Sequence, residues 1–310
     1  MKFHFKGRDF LKLADYTPEE IGFLLDSSAD MKRRWAAGVV ESPLAKKSIA
    51  LIFEKPSTRT RNSFQVGIQQ LGGYSVYMRP DEMAASRGEP IKDTARVLDR
   101  YYDALVIRTF GQELVDEYAG WMKQPVINAL TNDTHPCQVL ADLLTMREKK
   151  GTLKGLKLCY LGMIWNMTHS LMVGCAQMGV DFYVGRPNGY EPNQEQFEIA
   201  QGLAEQAGSK VVFTESLEEA ITDADIVYGM VWKSMGDPEH EKRVRDYSPY
   251  QIDNRVMGMA KADANFMHCL PAMRGEEVLD EVIEGPQSVV WDEAENRLHV
   301  QKAVMALVVP

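Results

Sequence analysis

Ser48-Ile49-Ala50-Leu51-Ile52-Phe53-Glu54-Lys55-Pro56-Ser57-Thr58-Arg59-Thr60-Arg61 is the stretch that decides the fold. Residues 48–53 form a short apolar run with the length of a strand. The run does not alternate with polar residues, as expected of a parallel strand covered on both faces. Pro56 ends it, and three hydroxyl residues with two arginines then open a helix. Free N–H groups at a helix start, the helix dipole, hydroxyls and guanidinium groups all favour a bound oxyanion such as phosphate. Local chemistry leaves a second reading open, in which Arg59 and Arg61 are solvated charges beside an N-cap.

The same alternation continues outward. Further strands are predicted at 74–78, 104–107, 125–128, 157–161, 181–184, 210–213, 225–228 and 265–268. Helical spacing of apolar positions covers 92–101, 137–149, 167–178 and 194–207, and residues 17–35 open on Thr-Pro-Glu-Glu, an N-cap with proline and acids in the first turn. Nine strands exceed one sheet of ordinary size, so the expectation is α/β with two doubly wound parallel-sheet domains. The polar, glycine-containing residues 147–156 read as the linker, and residues 237–250 as a long functional loop. The chain from 291 onward reads as a final helix.

The chain has 310 residues, with 44 acidic and 35 basic side chains and a net charge of −9. That balance argues against nucleic acid or an anionic membrane as partner, since both require a basic face. Cys137, Cys159, Cys175 and Cys269 are too sparse for a disulfide framework and read as reduced thiols. The first residues lack the pattern of a secretory leader, and no segment has the ~20 apolar residues of a membrane span. The expected compartment is the cytoplasm.

In doubly wound sheets, ligands bind beyond the carboxyl ends of the strands. Arg108 follows the strand at 104–107, and His135 and Gln138 flank a helix start after the strand at 125–128, with Pro136 at the first helical position. Taken singly, Arg108 also reads as a surface charge and His135 as a structural histidine. No GxGxxG follows a strand, and no GxxxxGK[ST], HExxH or zinc-spaced cysteine–histidine array occurs. Neither a metal nor a cofactor is expected.

Ser57-Thr58-Arg59-Thr60-Arg61, His135-Pro136-Cys137-Gln138, Ser234-Met235-Gly236 and His268-Cys269-Leu270-Pro271, in this order, resemble the four signature motifs of the ornithine carbamoyltransferases. The resemblance extends from about Phe10 to Val308. It implies that Ser57, Thr58, Arg59 and Thr60 hold the phosphate of carbamoyl phosphate. It further implies that Arg108, His135 and Gln138 hold the carbamoyl group, with Arg297 of the last helix completing the set. Arg108, His135, Arg59 and Cys269 are the catalytic candidates. Asn166, Ser234, Met235, Cys269, Leu270, Met230 and Trp165 are the acceptor-side candidates. The resemblance also implies a carbamoyl-phosphate domain of residues 1–145, rejoined by a final helix at 292–310, an acceptor domain of residues 150–285, and a homotrimer or a multiple of trimers. In the family the active site lies between domains and subunits.

The acceptor side departs from the family pattern. Where the ornithine branch usually has Gly-Asp-Gly-Asn-Asn, this chain has Gly162-Met163-Ile164-Trp165-Asn166. Where it has Asp-x-Trp-x-Ser-Met-Gly, this chain has Met230-Val231-Trp232-Lys233-Ser234-Met235-Gly236. The family's aspartate pairs with the α-ammonium of ornithine, and here that position is Met230. A neighbouring-subunit polar position aligns with Ala84. The expected acceptor is therefore ornithine, or an ornithine-like amine whose far end is neutral, acylated or without the α-ammonium. The alternative is a non-catalytic carbamoyl-phosphate-binding paralogue or structural subunit.

Overall fold

The structure is a computed structural model that describes residues 3–233 and 239–310. The first sheet holds β1 (Ser48–Phe53), β2 (Tyr74–Met78), β3 (Ala104–Arg108) and β4 (Val126–Leu130) in the order β2-β1-β3-β4. The second holds β5 (Lys157–Leu161), β6 (Asp181–Gly185), β7 (Val211–Thr214), β8 (Ile226–Gly229) and β9 (Asn265–His268) in the order β7-β6-β5-β8-β9. Every pairing is parallel. The expected two-sheet doubly wound architecture is thus the observed one.

Burial explains why the strand signals were readable. All of Ile49–Phe53 and Leu158–Leu161 are buried, as apolar central strands with helices on both faces must be. β2 and β7 stand at sheet edges and stay partly exposed. The helix Pro18–Ala36 starts as its sequence predicts. Thr17 Oγ1 accepts from the Glu20 N–H at 3.2 Å, and Glu20 Oε2 accepts from the Thr17 N–H at 3.0 Å.

The order in which strands are laid down reverses between β1 and β3 in the first sheet and between β5 and β8 in the second. These are topological switch points, where adjacent strand ends open a crevice. Residues after β1, β3 and β4 therefore share one end of the first sheet, and residues after β5, β8 and β9 share one end of the second. At the second switch point Met230 N–H bonds to Leu161 O at 3.0 Å. Gly162 there has φ +154, and a Cβ on it would stand 2.6 Å from the Met230 Cβ.

Two expectations fail. Residues 147–150 are not linker but the last turn of the helix Pro136–Lys150, because Glu148, Lys149 and Lys150 are good helix formers. Gly151, at φ +77, ends the helix. The segment read as a loop at 237–250 contains the helix His240–Tyr247 and a 3-10 turn at Ser248–Tyr250, while Asp237 and Pro238 lie outside the described residues. That helix buries only Tyr247, so it shows no apolar stripe. Its support comes partly from the i,i+4 pairs Glu239–Arg243 and Lys242–Asp246.

Two compact units result. One runs to Leu144 and resumes at Asn296, and the other spans Thr145–Glu295. Both divisions fall within helices, Pro136–Lys150 and Val290–Val308. No described helix is long and apolar enough to cross a membrane.

Gly162→Ala tests the close approach at the second switch point. The added methyl meets Met230 on a backbone that L residues rarely adopt, so a loss of about 2 kcal/mol or more is expected, read as a lower urea midpoint.

Candidate active site

In the first unit, Ser57 is the N-cap of the helix Thr58–Gln70, and its hydroxyl accepts from the Thr60 N–H at 3.2 Å. Ser57 and Arg59 are half-buried, Thr58 is exposed and Thr60 is buried. The N–H groups of a helix's first turn have no intrahelical acceptor and face outward along the axis.

The Thr60 hydroxyl is the meeting point of the cluster. It accepts from Arg297 Nη2 at 3.0 Å and from Arg108 Nη1 at 3.5 Å. Arg297 also donates, through Nη1, to Gln138 Oε1. The Gln138 amide is oriented from its other side, where Nε2 donates to Asp142 Oδ1 at 2.9 Å. Asp142 is fully buried, one helical turn beyond Gln138. With two donors on the Thr60 oxygen, the hydroxyl's own proton is left to point at a further acceptor.

His135 is buried beside these arginines. Burial, followed by the charges of Arg297 and Arg108, holds its pKa well below the ordinary histidine range. It is neutral at pH 7 and can donate an N–H without bringing another positive charge. The loop before it is held by one oxygen, Gln112 Oε1. That atom accepts from Asn128 Nδ2 (3.2 Å), Thr131 Oγ1 (3.0 Å) and Thr134 Oγ1 (3.1 Å).

Ser57, Thr60, Arg108, His135, Gln138 and Arg297, expected from scattered positions, are thus placed by one sheet end and three helices, all six residues within the same unit. Sequence reasoning missed Lys55 and Asp142. Lys55 donates to Asn132 Oδ1 and lies 4.3 Å from the Phe110 ring centre, and burial and then Arg108 lower its pKa. The i,i+4 spacing of Gln138 and Asp142 was the available signal for the second. A cavity of about 960 Å³ opens at the same helix start, lined among others by Ser57, Thr58, Arg61, Tyr77 and Arg79. Its lining does not include Arg108, His135 or Arg297, so it marks the exposed approach to the helix start rather than the buried cluster. Ala84 begins a 3-10 turn ending at Arg87.

In the second unit, Met163 and Trp165 follow β5, Met230 follows β8, and Cys269 and Leu270 follow β9. Asn166, buried, is the first residue of the helix Asn166–Gln177, and Trp165 N–H bonds to Thr168 Oγ1 at 3.1 Å. The Cys269 thiol donates to Met230 Sδ at 3.6 Å. Leu270 has φ +55, and its N–H donates to His268 Nδ1 at 2.9 Å. The proton of His268 is therefore on Nε2, which lies 3.3 Å from Glu277 Oε1. Ser234 and Met235, expected on the acceptor side, lie outside the described residues. Cys137 and Cys159 are fully buried, and burial pushes both thiols up to about 12, so neither forms a reactive thiolate.

Two family models match the chain. The carbamoyl-P binding domain of aspartate/ornithine carbamoyltransferase matches residues 8–148, and the Asp/Orn binding domain of the same family matches residues 154–308. The ornithine carbamoyltransferase of Oceanobacillus iheyensis is 50% identical over 301 residues, covering 97% of this chain and 94% of that one. That of Anoxybacillus flavithermus is 49% identical, covering 97% and 96%. The structure of ornithine carbamoyltransferase from Pyrococcus furiosus superposes with a TM-score of 0.96 at 46% identity, covering 99% of this chain and 98% of that one.

The lowered pKa of His135 has a measurable consequence. Below pH ~6.5 the unfolded chain binds a proton at this histidine that the folded chain refuses. Its contribution to stability is complete above that pH and is lost as pH falls further. His135→Gln should flatten the decline in denaturation midpoint between about pH 7 and 5 relative to the native chain. Identical slopes in both proteins would contradict the neutral assignment.

Proposed function

This chain belongs to the aspartate/ornithine carbamoyltransferase family, and from that membership we propose that it transfers the carbamoyl group of carbamoyl phosphate to the δ-amine of ornithine, giving citrulline and phosphate. The observation that carries the residue roles is the convergence of Arg108 and Arg297 on the Thr60 hydroxyl, beside a neutral His135 and a helix start.

In this reading the phosphate sits on Ser57, Thr58, Arg59 and Thr60, where N–H groups and guanidinium charge meet a dianion. The carbonyl oxygen takes hydrogen bonds from Thr60, Arg108 and His135. Gln138, with its amide set by Asp142 and Arg297, orients the carbamoyl nitrogen. The neutral amine attacks the carbonyl carbon and negative charge builds on the oxygen. Donors already fixed by packing stabilise it without rearrangement. Phosphate then leaves with the electrons of the C–O bond. Cys269, Leu270 and Asn166 serve the amine, and holding both reactants in line supplies further acceleration. From the family membership we further propose a homotrimer or a multiple of trimers, in the cytoplasm.

Colorimetric detection of citrulline from carbamoyl phosphate and ornithine tests the reaction, and its absence would refute it. Arg108→Leu should lower kcat by about 10²–10³, the usual effect of losing one oxyanion donor. A sedimentation mass that is not a multiple of three 35.0 kDa chains would refute the assembly.

A further inference from the structure

The second unit gathers three sulfur atoms at its switch point. Met163 and Met230 are buried, at 3% and 8% exposure, and the Cys269 thiol bonds to Met230 Sδ. Against this wall stands the guanidinium group of Arg243. Arg243, on the helix His240–Tyr247, sets its Nη1 directly against Met163 Sδ. A thioether is a weak acceptor, and a carboxylate oxygen binds a guanidinium far better. Trp232, two residues beyond Met230, is fully buried and its indole N–H has no acceptor among the described residues.

Among the described residues, the carboxylates of Glu239, Glu276, Glu277 and Glu293 on the neighbouring segments are already engaged. Glu239 pairs with Arg243 at 3.8 Å, and Glu276 lies 3.6 Å from both Lys233 and His240. Glu277 accepts from the Met273 N–H at 2.6 Å and faces His268, and Glu293 accepts from the His268 N–H at 2.8 Å. An ammonium group brought against Met163, Met230 and Cys269 would lose its water, gain no free anion among the described residues named above and approach the Arg243 cation. A carboxylate there would gain a strong donor.

Resting on the carbamoyl-transfer reading, we propose that the acceptor site also takes ω-amino carboxylates that carry no α-ammonium group, with Arg243 holding the carboxylate. The chemistry is unchanged. The amine nitrogen bonds to the carbonyl carbon, the C–O bond to phosphate breaks with its electrons on the phosphate, and one amine proton passes to the phosphate. The product is an ω-ureido carboxylate.

Phosphate release from carbamoyl phosphate, measured with ornithine and with 5-aminopentanoate, tests the proposal. The kcat/KM for 5-aminopentanoate should equal or exceed that for ornithine to within about tenfold. Ornithine turnover with a larger preference than that overturns the inference alone. No release with either amine overturns the carbamoyl-transfer reading and the inference with it. Met230→Asp should shift the ratio toward ornithine by roughly thirtyfold or more, and an unmoved ratio in the folded variant counts against the proposal. Arg243→Gln gives a second readout that does not depend on Met230. The KM for 5-aminopentanoate should rise about tenfold or more with kcat little changed, and an unchanged KM removes Arg243 from the site.

Discussion

One oxygen atom organises the first unit. Thr60 Oγ1 accepts from Arg108 and from Arg297, so residues 48 and 237 positions away in sequence must reach the same point. That demand constrains three elements. The helix Thr58–Gln70 must start where Ser57 caps it, β3 must pair with β1 so that Arg108 stands opposite Phe53, and the last helix must present Arg297 inward. Two guanidinium groups this close repel each other unless anionic or polar groups stand between them. Thr60, Gln138 and the buried Asp142 behind Gln138 meet that need in the resting protein, and a dianionic ligand meets it better.

The same cluster resolves a paradox of charge. A chain of net charge −9 is a poor candidate for an anion-binding protein by its total. Electrostatics at a site depends on what lies within a few ångströms, since exposed charges beyond about 10 Å are screened at ordinary ionic strength. Lys55, Arg59, Arg108 and Arg297 supply local positive charge, and burial keeps His135 from adding to it. The second unit works in the opposite sense. Its switch point holds thioethers, a thiol and an indole, with Arg243 as the cation set against the sulfur of Met163.

How legible each part was follows from what shaped it. Strands β1, β2, β5 and β9 were readable to the residue because full burial or clear punctuation writes itself into apolar runs and breakers. The boundaries of β4, β7 and β8 shifted by one or two residues, since edges of a pairing depend on the neighbouring strand. The helix His240–Tyr247 was read as a loop because it buries one aromatic ring and shows water a polar face. Arg243 went unnoticed with it. The supposed linker failed for the converse reason, because charged residues that suggest solvent are also good helix formers.

By itself the sequence determined the fold class and the chemistry of the helix start at residues 57–61, the segment proposed to hold phosphate. Both rest on local physics: apolar periodicity, N-cap chemistry and the dipole of a helix start act within a few residues. Only the tertiary structure decided that Arg108 and Arg297 share one hydroxyl, that His135 is neutral, and that Arg243 abuts Met163. Each of these depends on burial and on distances between segments far apart in the chain, and neither quantity is a property of any short stretch of sequence.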